Sequence, residues 1–146
     1  MNSTNRRNFI STAAVLAAST AIASALPLKP MENKYPVVHH VFFWLKNPAS
    51  GADRDQLIAG IRTLAAIETV NDLRIAVPAG TEKREVVENS WAVSELIFFR
   101  DLAAQAAYQT HPVHLEFVKN CGHLWEKVIV YDGTDVQNSL KTGSRS

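Results

Sequence analysis

The sequence predicts an α+β fold, ferredoxin-like in its βαββαβ order, with two copies closing into a dimeric α/β barrel. Four short β-type runs alternate with two helical regions in that order. Two of those runs are apolar on both faces, which is the observation that asks for a second copy. In the first strand Val37, Val41, Phe43 and Leu45 lie on one face, and Val38, Phe42 and Trp44 on the other. In the third, Trp91, Val93, Ile97 and Phe99 oppose Leu96 and Phe98. Helices cover one face of so small a sheet, and a second sheet from an identical chain covers the other at least cost. A homodimer is therefore expected, and a monomer with one face open to a ligand is the alternative.

Each element has its own warrant. Pro36 to Leu45 is rich in Val, His, Phe and Trp without a helical period, which makes it a strand. Pro48 and Gly51 mark the loop from Asn47 to Ala52. Asp53 then opens a helix whose Leu57, Ile58, Ile61, Leu64, Ala65 and Ile67 recur at three- and four-residue steps. Asp72 to Val77 is a short strand stopped by Pro78 and Gly80, and the charged run from Thr81 to Asn89 is an exposed loop. Trp91 to Phe99 is the third strand. Asp101 caps a short helix from Leu102 to Gln109, Pro112 ends it, and Val113 to Leu124 continues as a second helical stretch. Glu126 to Tyr131 forms the last strand, which Asp132 and Gly133 end.

The domain so defined spans residues 36–133, and its flanks read differently. Residues 1–25 join Arg6 and Arg7 to an acid-free, alanine-rich stretch that ends in Ala23-Ser24-Ala25. This is the layout of a cleavable signal peptide, and Arg-Arg-x-Phe-Ile is of the twin-arginine type, so a periplasmic location is expected. The stretch is too short and too rich in alanine for a membrane span, and no cysteine marks a lipid anchor, so no stable membrane anchor is expected. Residues 26–35, with Pro27 and Pro30, form a linker, and residues 134–146 a polar tail.

Composition narrows the function classes. The chain of 146 residues is 47% hydrophobic, enough for a globular core. Removing Arg6 and Arg7 from 15 basic residues leaves 13 against 14 acids, a formal charge of −1. No basic block remains to grip nucleic acid. The single cysteine, Cys121, rules out an internal disulfide and is read as a small buried residue. No phosphate loop, nucleophile elbow or nucleotide fingerprint is present, and no cofactor is expected.

Val37-Val38-His39-His40-Val41-Phe42-Phe43-Trp44-Leu45-Lys46 resembles the first strand of the stress-responsive A/B-barrel family. Phe99-Arg100-Asp101 and Tyr108-Gln109-Thr110-His111-Pro112-Val113-His114 resemble the segment after its third strand, and Val128-Ile129-Val130-Tyr131-Asp132 its last strand. The resemblance runs from Pro36 to Gly133 and implies a homodimeric barrel with a cavity in each half. It implies no single function, since members include stress-induced plant proteins and a plant polyketide cyclase that works without cofactor. In that cyclase-like branch the positions of Tyr108 and His114 are catalytic and a first-strand histidine lines the pocket. His39 and His40 both fit that last position. A pocket histidine of the branch is replaced here by Val93.

Tyr108, His111 and His114 stand at three-residue steps, which on a helix share roughly one face, and Pro112 is expected to break that helix and re-aim the three. Histidine exchanges protons near neutral pH, and a phenol can donate to a developing oxyanion. The same motif can instead tie the second helical region to the sheet through ring-nitrogen hydrogen bonds. His39 and His40 point to opposite faces of their strand, so at most one serves a given cavity. Glu95 lies amid the apolar third strand and needs a partner, as an inward acid of the cavity or at the dimer seam. Pocket candidates are thus His39, His40, Phe42, Trp44, Trp91, Glu95 and His111 beside Tyr108 and His114. The five histidines and Glu116 have no metal-ligand spacing, and no metal site is expected. Two functions remain: a binder of a small hydrophobic molecule, or a cofactor-independent lyase, cyclase or monooxygenase using Tyr108 and His114.

Overall fold

A computed structural model of the chain describes residues 34–136. The signal peptide, most of the linker and most of the tail lie outside the described residues.

The elements run β1 Val37–Leu45, α1 Gly51–Thr63, a 3-10 turn Leu64–Ala66, β2 Asp72–Ala76, β3 Val93–Phe99, α2 Leu102–Thr110, α3 Pro112–Cys121 and β4 Trp125–Thr134. The sheet has the order β2-β3-β1-β4, with every neighbouring pair antiparallel. This is the ferredoxin-like βαββαβ arrangement. All three helices pack on one face. Beneath them lie Val37, Val41, Phe43 and Leu45 of β1 and Val93, Ile97 and Phe99 of β3. Leu57 and Ile61 of α1, Tyr108 of α2, Phe117 and Cys121 of α3 and the loop residue Leu124 close over them. On the opposite face Val38, Phe42, Trp44, Leu96, Phe98 and Ile129 are half-buried and uncovered by helix.

Local chemistry explains where the boundaries differ from the sequence expectation. The first helix begins at Gly51, ahead of Asp53, because Ser50 takes the N-cap and its hydroxyl accepts from the Asp53 N–H at 3.1 Å. Asp101 caps α2 as expected, accepting from the Ala104 N–H at 2.7 Å. β3 begins at Val93, and Trp91 stands outside its alternation. The Trp91 indole donates to the Glu88 carbonyl at 3.1 Å and its ring lies 5.3 Å from Phe42, on the uncovered face. β4 runs on to Thr134, with Asp132 and Gly133 paired to His39 and Val38. As an edge strand it is not fully roofed: Val128 and Val130 face the helices yet stay 36% and 46% exposed. No helix among the described residues is long and apolar enough to cross a membrane.

Candidate functional site

The missing roof over β4 leaves a cleft of about 360 Å³ between β4 and the helices α2 and α3. Its walls are Val41, Phe43, Phe117, Val118, Trp125, Val128 and Val130. Its polar groups are His39, Glu95, Gln109, His114 and Asp132. Trp125 packs on Phe43 and Phe117, with centroids 5.1 and 5.8 Å apart, and makes one wall rigid.

Sheet register delivers two of the polar groups. His39 pairs with Asp132 across β1 and β4, and its Nδ1 lies 2.6 Å from Asp132 Oδ1. That contact makes Nδ1 the protonated nitrogen, donating to the carboxylate. Glu95 is opposite Val41 on the same face and is only 2% exposed. Burial pushes its carboxyl up to about 8, a rise partly held back by the neighbouring Tyr108 hydroxyl. Near pH 7 the acid is therefore mostly protonated. The Tyr108 phenol, fully buried, is itself pushed up by burial and then by Glu95. Among the described residues neither Glu95 Oε2 nor the Tyr108 hydroxyl has a hydrogen-bond partner.

The helix break delivers the third. Pro112 cannot continue α2, and His111 before it is extended at φ −66°, ψ 136°. His111 becomes the N-cap of α3, its Nδ1 accepting from the Val113 N–H at 3.2 Å, while Nε2 meets Glu68 at 3.2 Å. It is thus turned into the chain junction and does not line the cleft. His114, one turn further, returns to Tyr108, with ring centroids 4.6 Å apart. Its Nδ1 lies 3.1 Å from the Gln109 carbonyl, which can only accept, so Nδ1 carries the proton and Nε2 keeps its lone pair. Burial lowers the His114 pKa, the Gln109 carbonyl opposes this, and His39 adds to the lowering.

The remaining candidates sit across the sheet. Phe42, Trp44 and Trp91 line a second hollow of about 310 Å³ on the uncovered face, with Glu88, Lys127, Ile129 and Tyr131. His40 is on that face too, its ring 4.2 Å from Phe42 and its pKa lowered by burial and then by His39. The candidates thus divide: His39, Glu95, Tyr108 and His114 come together beneath the helices, while His40, Phe42, Trp44 and Trp91 gather on the other side. Asp132 and Gln109 were missed by sequence reasoning. Continuing the antiparallel alternation of the last strand by one residue would have set Asp132 beside a first-strand histidine. The Gln109 backbone contact leaves no signal in residue type. Among the described residues no group of three or more His, Cys, Asp or Glu is placed to hold a metal ion.

An antiparallel four-stranded sheet, helices on one face and a histidine- and acid-floored cleft beneath them define a ferredoxin-like α+β cleft protein. The chain belongs to the stress responsive A/B barrel domain family, whose model matches residues 37–135. Among solved structures it is similar to a Dabb family protein from Mesorhizobium loti, at 23% identity over 67% of this chain and 94% of that one, TM-score 0.55. It is similar to a dimeric ferredoxin-like protein of unknown function from Thermobifida fusca, at 14% identity over 70% and 92%, TM-score 0.57. A hydroxynitrile lyase from Passiflora edulis also shares the fold, at 24% identity over 70% and 94%, TM-score 0.58. No curated protein matches the chain.

Proposed function

We propose that the protein is an exported homodimer that binds a small, largely apolar molecule in the cleft beneath α2 and α3. The observation that carries the reading is Glu95, a buried carboxyl with Oε2 unpartnered, lining an apolar-walled cleft, with the Tyr108 phenol buried beside it. Buried polar groups are ordinarily satisfied, and a ligand's polar end would satisfy these. The cleft's volume is in the range that holds small ligands. Dimerisation is supported by the apolar uncovered face of the sheet, and export by the paired arginines and alanine-rich stretch of residues 1–25.

The test uses the chain from Leu26 onward, purified from periplasm and analysed for co-purified small molecules by native mass spectrometry. A bound apolar compound, displaced when Val130→Trp fills the cleft mouth, is the expected result. Retention of the compound by Val130→Trp would place binding elsewhere. Export is tested separately by replacing Arg6 and Arg7 with lysine. Loss of periplasmic protein is expected for the twin-arginine route, and normal accumulation would refute that route.

A second reading, cofactor-independent proton transfer, is favoured by His114. Its Nδ1–H is committed to the Gln109 carbonyl, and Nε2 remains free as a base in a site that burial keeps neutral. If the compound is turned over, His114→Ala should slow turnover by about 10²–10⁴-fold.

A further inference from the structure

We propose that the Glu95 carboxyl is the specificity determinant of the cleft, donating a hydrogen bond to an uncharged oxygen on an apolar ligand and excluding ligands that carry a carboxylate or phosphate. The inference deepens the binding reading and rests on it.

The titratable donors at the cleft fall into two groups. The His39 Nδ1–H is held by Asp132, and the His114 Nδ1–H by the Gln109 carbonyl. The Tyr108 hydroxyl and Glu95 Oε2 are buried beside each other, and neither has a partner of good hydrogen-bond geometry. Glu95 lines the cleft directly. No lysine or arginine lines it, and its fixed charges are acidic. An anion would enter a low-dielectric site with no lysine or arginine to meet it, beside Glu95 and Asp132. Ionised Glu95 would be a buried charge without a counter-ion, so the acid form is the one the site supports. An alcohol, phenol or carbonyl oxygen accepts from that acid and leaves the carbon skeleton against Phe43, Phe117 and Trp125.

The surroundings of Glu95 leave its own proton as the switch. His39 of β1, His114 of α3 and Asp132 of β4 are the other titratable groups that line the cleft, and Tyr108 of α2 packs against His39 and His114 beside Glu95. Its register partner on β2 is Ile75, and the buried residues of α1 are Leu57 and Ile61, all apolar. Deprotonation removes the donor and adds a charge. Affinity for an uncharged oxygen ligand should therefore fall by about tenfold per pH unit above about 8.

The experiment is calorimetric titration at about pH 6 with three probes of one shape: 4-butylbenzyl alcohol, 4-butylbenzoate and 4-butylbenzylamine. The alcohol should bind, and the benzoate should bind at least about tenfold more weakly. Glu95→Gln keeps a donor and should hold alcohol affinity within about threefold while abolishing its fall at high pH. Glu95→Leu removes the donor and should weaken the alcohol by about tenfold, with thermal melts confirming that both variants fold. Equal binding of alcohol and benzoate, or no effect of Glu95→Leu, overturns the inference and leaves the cleft as a binding site. Tightest binding by the amine, lost in Glu95→Gln, overturns it in favour of an ionic pair with the carboxylate. If the alcohol does not bind, the inference and the binding reading both fall.

Discussion

Glu95 makes the stability of the fold depend on pH in a direction opposite to that of most carboxylates. Its folded-state pKa, about 8, lies above the ordinary 4.5. Below pH 4.5 it is neutral in both states and adds no pH dependence. Between pH 4.5 and about 8 only the unfolded chain ionises, so stability is lost by about 1.4 kcal/mol per pH unit, and the loss levels off above 8. Glu95→Gln should remove this slope: denaturant melts of the two proteins should agree near pH 4 and diverge in favour of the variant toward pH 8. Parallel curves would show that the carboxyl is solvated. Two neighbours separate chemistry from support. Tyr108→Phe removes a hydroxyl without a partner and should alter stability by less than about 1 kcal/mol. His114→Ala breaks the tie to the Gln109 carbonyl and should lower it by about 1–3 kcal/mol. Equal melting midpoints for both variants would rule out a structural role for His114. At this scale the sequence was only partly legible. Alternation separates His39 from His40, but Val41 and Phe43 on one face are as apolar as Phe42 and Trp44 on the other, so nothing marks the side the helices take. Three-residue spacing likewise listed His111 with Tyr108 and His114; Pro112 signalled a break between them, and only the extended backbone before it shows which residue is turned away.

Two helices meet at a glycine. A Cβ built on Gly60 of α1 would lie 2.4 Å from Cys121 Sγ and 3.1 Å from the Phe117 ring, both on α3. The substitution Gly60→Ala carries a helix-favouring term, yet here it must push α3 away from α1. A net loss of about 1–3 kcal/mol is expected in denaturant melts, and Cys121→Ala in the same chain should restore much of it. A stabilised Gly60→Ala would mean that α3 moves freely over α1. The elements themselves were the legible part of the sequence. All four strands and the helical regions between them follow from period, caps and breakers, because those signals are local. Ends were less legible where a side chain decided them: the Ser50 hydroxyl advances α1, and the Trp91 indole, bonded to the Glu88 carbonyl, leaves the strand that its spacing suggested. The length of β4 escaped for a different reason. Asp132 and Gly133 are breakers by type, but pairing with β1 carries the strand through them.

The whole molecule presents two unlike faces. Helices close one side of the sheet, and the other shows Val38, Phe42, Trp44, Leu96, Phe98 and Ile129 half-buried. If this side meets a second copy, Phe42→Asp sets a carboxylate in the seam and should weaken association by on the order of 3 kcal/mol, about a hundredfold in Kd. Sedimentation of the chain from Leu26 onward should find a dimer for the parent and monomer for the variant at micromolar concentration. Dimers of both would mean that the sheet face is not the seam. Two-sided apolar strands made this arrangement legible in sequence. The cleft was not, because it arises from what is missing over an edge strand, and an absence of cover has no residue type.

That uncovered edge also bears on the rate at which a ligand would come and go. The cleft opens beside the exposed Val128 and Val130, on the side of the sheet away from Phe42 and Trp44. Among the described residues no lid covers that mouth, and with the Phe42 face as the seam a molecule arriving from solvent would enter without any separation of subunits. Its arrival is limited by diffusion and fit, and its residence time by the few contacts inside. Stopped-flow traces should therefore give a dissociation rate independent of protein concentration, with each half of a dimer emptying without regard to the other.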